Sequence, residues 1–261
     1  MQAIDKVRHS IRAIGWLPTM LRAVRYARFA LQARERRRLT RELISAPDLQ
    51  SRFTRIYETN YWGSAESASG EGSTLAYTAR LRAELPALLA RYQIRRVFDA
   101  PCGDFNWMRE LLRTTPLERY TGADIVAPMI ESLVRSDGSE TTRFLHLDIT
   151  RGPFPSADLW ICRDCLFHLS YADIRRALQA FVASGIPYLL TTTHRNPDGY
   201  FINVDIRSGD FRRIDLFAPP FNLPRDVLCS IDDWHEPEPP RQMCLWTADQ
   251  VRWALSTWPT P

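Results

Sequence analysis

The stretch from Arg95 to Leu112, RRVFDAPCGDFNWMRELL, leaves few folds open to this chain. The apolar pair Val97-Phe98 stops at an acid, Asp99, and turns through Pro101 and Gly103. A helix follows, starting near Asn106 and carrying Trp107, Met108, Leu111 and Leu112 at helical spacing. Pro101 presets φ and removes a donor, whereas Gly103 can take positive φ and lets a ligand approach the backbone. The pattern then repeats. The run 120–125 puts Asp124 about twenty residues beyond Gly103, where a nucleoside-binding doubly wound sheet holds a carboxylate for the ribose hydroxyls. The run 144–149 contains Asp148, and 158–164 ends at Asp164, just before Cys165-Leu166-Phe167-His168-Leu169. A helix with Ile174, Ala177, Leu178, Phe181 and Val182 on its buried face leads to a fifth strand, 188–193, ending at His194. Strands alternating with helices predict a parallel α/β sheet with acids at the carboxyl ends of its strands.

The unit 95–112 resembles the first motif of class I S-adenosylmethionine-dependent methyltransferases, although Pro101 and Phe105 stand where the fullest form of that motif has glycines. The resemblance extends in order through YWGSAESASGEGS (61–73), DAPCGDFNWM (99–108), GADI (122–125), RDCLFHLS (163–170) and YLLTTTH (188–194). That combination looks like a bacterial branch associated with surface-polysaccharide or secondary-metabolite gene sets. The resemblance implies a Rossmann-like doubly wound, mostly parallel seven-stranded sheet closed by an antiparallel carboxyl-terminal pair. It implies S-adenosylmethionine as cofactor and S-adenosylhomocysteine as product. Carried over by motif, the cofactor contacts would be Asp99, Pro101, Cys102, Gly103, Asp104, Asn106, Asp124, Ile125, Asp148, Ile149 and Arg163, with Trp62 covering the cofactor or the acceptor. The nearest candidates for a base are Asp164 and His168 after the fourth strand and His194 after the fifth. Asp205 and Asp215 are candidates to touch a sugar-like acceptor, and Arg80 or Arg82 to meet the methionine carboxylate. No metal is required.

The rest of the chain divides around this core, taken as 74–261. Residues 1–45 hold eleven Lys or Arg against three Asp or Glu, a local +8 within a formal net charge of +4. Residues 1–50 read as a basic amphipathic helical arm, with Ile4, Val7, Ile11 and Ile14 on one stripe. Such an arm can pack on its own core or a sister subunit, or lie on an anionic membrane surface; contact with nucleic acid is the weakest of these readings. No run is long and apolar enough to span a bilayer. Residues 51–73 change from aromatics to a Gly/Ser/Glu tract and read as a linker or, by the resemblance, a lid, with hinge freedom at Gly63, Gly70 and Gly72. Ser73 is the predicted cap of the next helix, with Pro86 as a kink or a new start. Beyond His194, strands at 200–206 and 211–217 flanking Ser208-Gly209-Asp210, then at 227–231 and 243–246, are expected without further helices. The five cysteines include Cys162-x-x-Cys165 without a second pair, and they suggest buried thiols in a reducing, cytoplasmic compartment.

Three functions stay open at this level. The first is O-methylation of a glycan, lipid-linked sugar or small metabolite near a membrane. The second is RNA methylation with the arm as a grip, against which no base-flipping motif follows the fourth strand. The third is cofactor binding without turnover. A dinucleotide oxidoreductase is disfavoured because Pro101–Asn106 offers no three-glycine turn.

Overall fold

In the computed structural model, which describes residues 45–258 together with Met20, the central strands separate their side chains by strict alternation. Leu159 and Ile161 of β4 (Leu159–Cys162) face one side with Val97 of β1 (Arg96–Asp99) and Leu190 of β5 (Tyr188–His194). Trp160 and Cys162 face the other with Phe98 and Leu189. Period-2 burial on both faces requires a cover on each side. On the first side lie α2 (Ala79–Arg91), α3 (Asn106–Thr114) and α4 (Ala127–Asp137), and on the second α5 (Tyr171–Ser184) and α6 (Ala248–Thr257). The sheet is completed by β2 (Arg119–Asp124), β3 (Thr142–His146), β6 (Cys229–Asp232) and β7 (Arg241–Thr247). Its order is β3-β2-β1-β4-β5-β7-β6, parallel through β5, with β7 antiparallel to β5 and β6 antiparallel to β7. This is the expected seven-stranded doubly wound sheet. From Asp48 on, the described residues form one compact unit, and apart from Met20 the predicted arm lies outside the described residues through residue 44.

Phe105 shows how the first turn manages without its third glycine. It sits in the left-handed region at φ 61° and precedes α3 directly. An L residue there costs about 1–2 kcal/mol, and packing offsets the cost: the buried ring lies 5.2 Å from Tyr120 and 5.0 Å from Phe144. On the other face of the sheet, the indole Nε1–H of the fully buried Trp160 donates to the Ala100 carbonyl at 2.9 Å, tying the turn to β4.

Three expectations are corrected. Residues 200–206 and 211–217 form no hairpin; apart from an isolated bridge at Ser208 and Asp210 they are irregular. Their backbone groups find partners elsewhere: Asn203 donates to the Asp215 carbonyl, Ile214 N–H donates to His194 Nδ1, and Leu216 N–H donates to the Thr193 hydroxyl. β7 occupies the edge of β5, so the strand that this segment follows offers it no ladder. The tail does contain a helix, α6, started by a capping box between Thr247 and Gln250. Its pattern is weak because only Val251 and Ala254 are buried on it. Finally, Ser73 ends a 3-10 turn (Glu71–Ser73) rather than capping α2, which starts after Thr78 and runs through Pro86. Glu66 accepts the Leu75 N–H and Thr74 Oγ1 the Tyr77 N–H, so side chains hold this segment in a non-helical path.

Replacing Trp160 by Phe keeps a ring in the core but leaves the Ala100 carbonyl without its indole donor. Urea denaturation should show a loss of about 1–3 kcal/mol.

Candidate active site

A cleft with about 1030 Å³ of empty space, counted out to its mouth, opens at the carboxyl ends of β1, β2 and β4. Asp99, Pro101, Cys102, Gly103 and Asp104 line it from the first turn, Asp124 and Ile125 from the end of β2, and Asp148 and Ile149 from beyond β3. Asp124 accepts the Gly103 N–H at 3.2 Å and the Val126 N–H at 3.0 Å, so one carboxylate fixes both the turn and the start of α4. Burial pushes its pKa up to about 6 against those donors. Asp99 accepts the Tyr120 hydroxyl at 2.7 Å, and burial pushes it up to about 7. Gly103 has φ +55°, and a Cβ there would stand 2.1 Å from Ser69 Oγ.

The segment ahead of the core is ordered over the cleft. α1 (Leu49–Glu58) is a helix where a linker or lid tract was expected, and its i, i+4 stripe Leu49, Phe53 and Tyr57 lines the cleft. The chain then passes Trp62, which also lines it, and is latched by Asp104. That carboxylate accepts Ser67 Oγ–H at 3.0 Å, Ala68 N–H at 2.8 Å and Ser69 Oγ–H at 3.2 Å. Asn106 donates to Glu66 Oε1 at 2.7 Å and to the Ser73 carbonyl, so it braces this strap and does not line the cleft. Gly63 and Gly70 take positive φ; Gly72 does not, and its carbonyl accepts from Arg163. Ser67, Ser69 and Glu66 were legible only as a polar tract.

The other end of the cleft separates the candidate bases. Burial raises the pKa of Asp164, but the charges of Arg163 and Arg241 and the Thr192 hydroxyl outweigh it and hold the carboxyl below its ordinary value. Arg241 Nη2 lies at 3.1 Å and Thr192 Oγ1 at 3.1 Å. Asp164 is thus a fixed anion and a poor proton acceptor, and its φ of +49° places it in strained backbone. Arg163 lines the cleft, but its guanidinium is engaged by Asp233 at 2.8 and 3.0 Å and by the Gly72 carbonyl at 2.7 Å. His194 is buried outside the cleft lining behind Phe167, and burial pushes it down to about 4. Its Nδ1 accepts the Ile214 N–H, a structural role. Asp205 accepts the Tyr171 N–H at the start of α5, Asp215 is buried and accepts the Phe217 N–H, and neither lines the cleft. Arg80 pairs with Glu84 and Asp232, and Arg82 holds the Leu75 carbonyl; neither lines the cleft. Cys162 and Cys165 are buried free thiols.

His168 remains. It closes a 3-10 turn (Leu166–His168) and lines the cleft. Its Nδ1 lies 2.8 Å from the Asp210 carbonyl. A carbonyl can only accept, so the proton sits on Nδ1 and Nε2 carries the lone pair. Burial lowers the pKa, keeping the ring neutral at pH 7. The turn itself is clamped: Gly209 N–H donates to the His168 carbonyl at 2.7 Å, and buried Arg212 Nη1 donates to the carbonyls of Phe167 at 3.2 Å and Leu169 at 2.7 Å. Arg52 of α1 donates to the Ser208 carbonyl, so the strap helix and the histidine share one loop.

A hydrogen-bonded acid at the end of β2, a glycine turn without room for a Cβ, and the apolar side chains of Ile125, Val126, Met129 and Ile149 are the groups that a nucleoside site requires. They fit S-adenosylmethionine. Residues 97–184 match the family model described as a methyltransferase domain. No curated protein matches the chain in sequence. Among solved structures it is similar to the methyltransferase domain of bacterial CtHen1-CN, at 16% identity and TM-score 0.47 over 65% of this chain and 98% of that one. It is similar to the N-methyltransferase NodS from Bradyrhizobium japonicum WM9, at 13% identity and TM-score 0.48 over 66% of this chain and 96% of that one. It is also similar to human N-acetylserotonin methyltransferase in complex with S-adenosylmethionine, at 15% identity and TM-score 0.47 over 77% and 59%. Residues 97–184 thus match a methyltransferase domain, and the sheet order and the cleft that this stretch helps to build suit S-adenosylmethionine.

Asp124→Ala should weaken S-adenosylhomocysteine binding by about 1.5–3 kcal/mol, roughly 10- to 100-fold by calorimetry. For the wild type, the same affinity should fall below about pH 6 as Asp124 takes up a proton.

Proposed function

We propose that the chain is an O-methyltransferase acting on a hydroxyl of a small metabolite, glycan or lipid-linked sugar, with His168 as general base. The observation that carries this reading is a neutral imidazole at the cofactor cleft with Nδ1–H held by a backbone carbonyl and Nε2 left to accept. When bound, the cofactor supplies an electrophilic methyl group. Asp124 would hold the ribose hydroxyls, and Ile125 and Ile149 the adenine. A hydroxyl is a weak nucleophile until its proton leaves, and His168 Nε2 would take that proton. The strap formed by 59–73 and α1 would exclude water. Phe105 adopting the glycine-like conformation supports turnover over cofactor binding alone, because the departure at that position leaves the turn's backbone path intact. The charge of residues 1–45 supports a second part of the proposal, attachment to an anionic membrane surface. Neutralising Arg34, Arg36, Arg37 and Arg38 should then reduce sedimentation with phosphatidylglycerol vesicles; unchanged sedimentation would remove this part.

His168→Gln should lower kcat by about 10²- to 10⁴-fold while S-adenosylhomocysteine affinity stays within about twofold. The lone pair is needed, so wild-type kcat/KM should fall as pH drops below the ordinary histidine range through the lowered His168 pKa, and the variant should lack that limb. Full activity in His168→Gln would overturn the assignment.

A further inference from the structure

We propose that the acceptor is an aromatic hydroxyl compound, a phenol in the broad sense, whose ring lies against Trp62 and Phe211 beside His168. The inference narrows the acceptor class and rests on reading His168 as the base. Two rings flank the imidazole: Trp62 at 5.6 Å, from the strap, and Phe211 at 5.8 Å, from the irregular segment after β5. Phe211 is 58% exposed, although it is held from behind by Phe167 at 5.4 Å and His194 at 6.2 Å. Phe211 is not among the residues lining the cleft, but it adjoins His168, which is; a large aromatic next to the base with more than half its surface uncovered is available to an acceptor that reaches out of the cleft. Leu169 and the α1 stripe continue that apolar wall within the cleft.

A sugar would need the opposite surroundings, several free carboxylates and amides to read its hydroxyls. Most of the groups around that segment are already committed: Asp164 is held by Arg241 and Thr192, Asp205 accepts the Tyr171 N–H at the start of α5, the Asn203 side chain is spent on the Asp215 backbone, and the Asp215 carboxylate accepts from Phe217 N–H and Asn196. Proton transfer favours the same acceptor. A phenolic hydroxyl titrates near 10, as in tyrosine, far closer to an imidazole of lowered pKa than an aliphatic alcohol does, and proton removal becomes easier as that gap narrows. Aromatic rings also interact edge-to-face or offset with Trp and Phe at the spacings these side chains leave.

The test uses the full chain saturated with S-adenosylhomocysteine, with 2-naphthol and methyl α-glucoside as probes, read by fluorescence and calorimetry. 2-Naphthol should bind, Phe211→Ala and Trp62→Ala should each weaken it at least tenfold, and the glucoside should not bind. Because Phe211 is largely exposed, its variant should fold, and an unchanged circular dichroism spectrum checks this. Glucoside binding, absence of 2-naphthol binding, or 2-naphthol affinity unchanged in both variants would overturn the proposal. His168→Gln separates the two readings: with S-adenosylhomocysteine bound it should keep 2-naphthol affinity within about twofold, and with S-adenosylmethionine supplied instead as methyl donor it should lose transfer to 2-naphthol. Retained transfer in that variant, with binding lost in Phe211→Ala, would sink the base assignment and leave the aromatic acceptor standing.

Discussion

The buried ion pair between Arg163 and Asp233 is the interaction on which the arrangement of this site depends. Both side chains are almost fully removed from solvent, at 4% and 1% exposure. Such a pair adds little net stability by itself, because desolvation opposes the Coulomb attraction, but removing one partner strands a charge and costs about 3–5 kcal/mol. Its value here is positional. Arg163 follows β4, Asp233 follows β6, and the guanidinium also holds the Gly72 carbonyl of the strap. One fork therefore joins the middle of the sheet, its antiparallel end and the segment that covers the cleft. Asp164 extends the network to Arg241 at the start of β7, which explains why it is held as an anion and why the proton-accepting role passes to its neighbour four residues on.

That neighbour is set by a second, weaker system. The carbonyls of Phe167, His168 and Leu169 all accept from residues 209–212, and the imidazole donates back to Asp210. The segment that fails to form strands is thus organised around the histidine turn instead. Irregular backbone buried at a site must find partners for its polar groups, and here the partners are the site itself and the side chains of Asn203 and Thr193. Arg52 brings α1 onto the same loop, so covering the cleft and orienting the histidine share hydrogen bonds.

Much of the architecture was legible in advance. Five strands, their helices and the acids Asp99, Asp124, Asp148 and Asp164 at or just past strand ends follow from apolar runs of short period punctuated by turn residues, a local signal that needs no tertiary knowledge. The tail was read less well. Residues 202–206 alternate apolar and polar side chains as a strand would, yet Tyr200, Ile202 and Val204 are largely exposed and the segment joins no strand, the edge of β5 being taken by β7. α6 was hidden for the converse reason, since two buried positions make a faint helical stripe even behind a good capping box.

Within the site, residue types at motif positions could be listed from the chain alone, but their division of labour could not. Asp164, His168 and His194 are equivalent candidates in one dimension. In three, two arginines hold Asp164 ionised, burial behind Phe167 removes His194 from the cleft, and a single carbonyl 42 residues downstream sets the tautomer of His168. Asp104 and Asn106 brace the strap through partners 33 or more residues upstream. The sheet, its order of elements and the acid at the end of β2 were determined by the sequence itself, because hydrophobic period and turn chemistry act over neighbouring residues. Which charges are paired, which lone pair is left open and which aromatic faces stay uncovered were decided only by the tertiary structure, because each depends on burial and on partners far away in the chain.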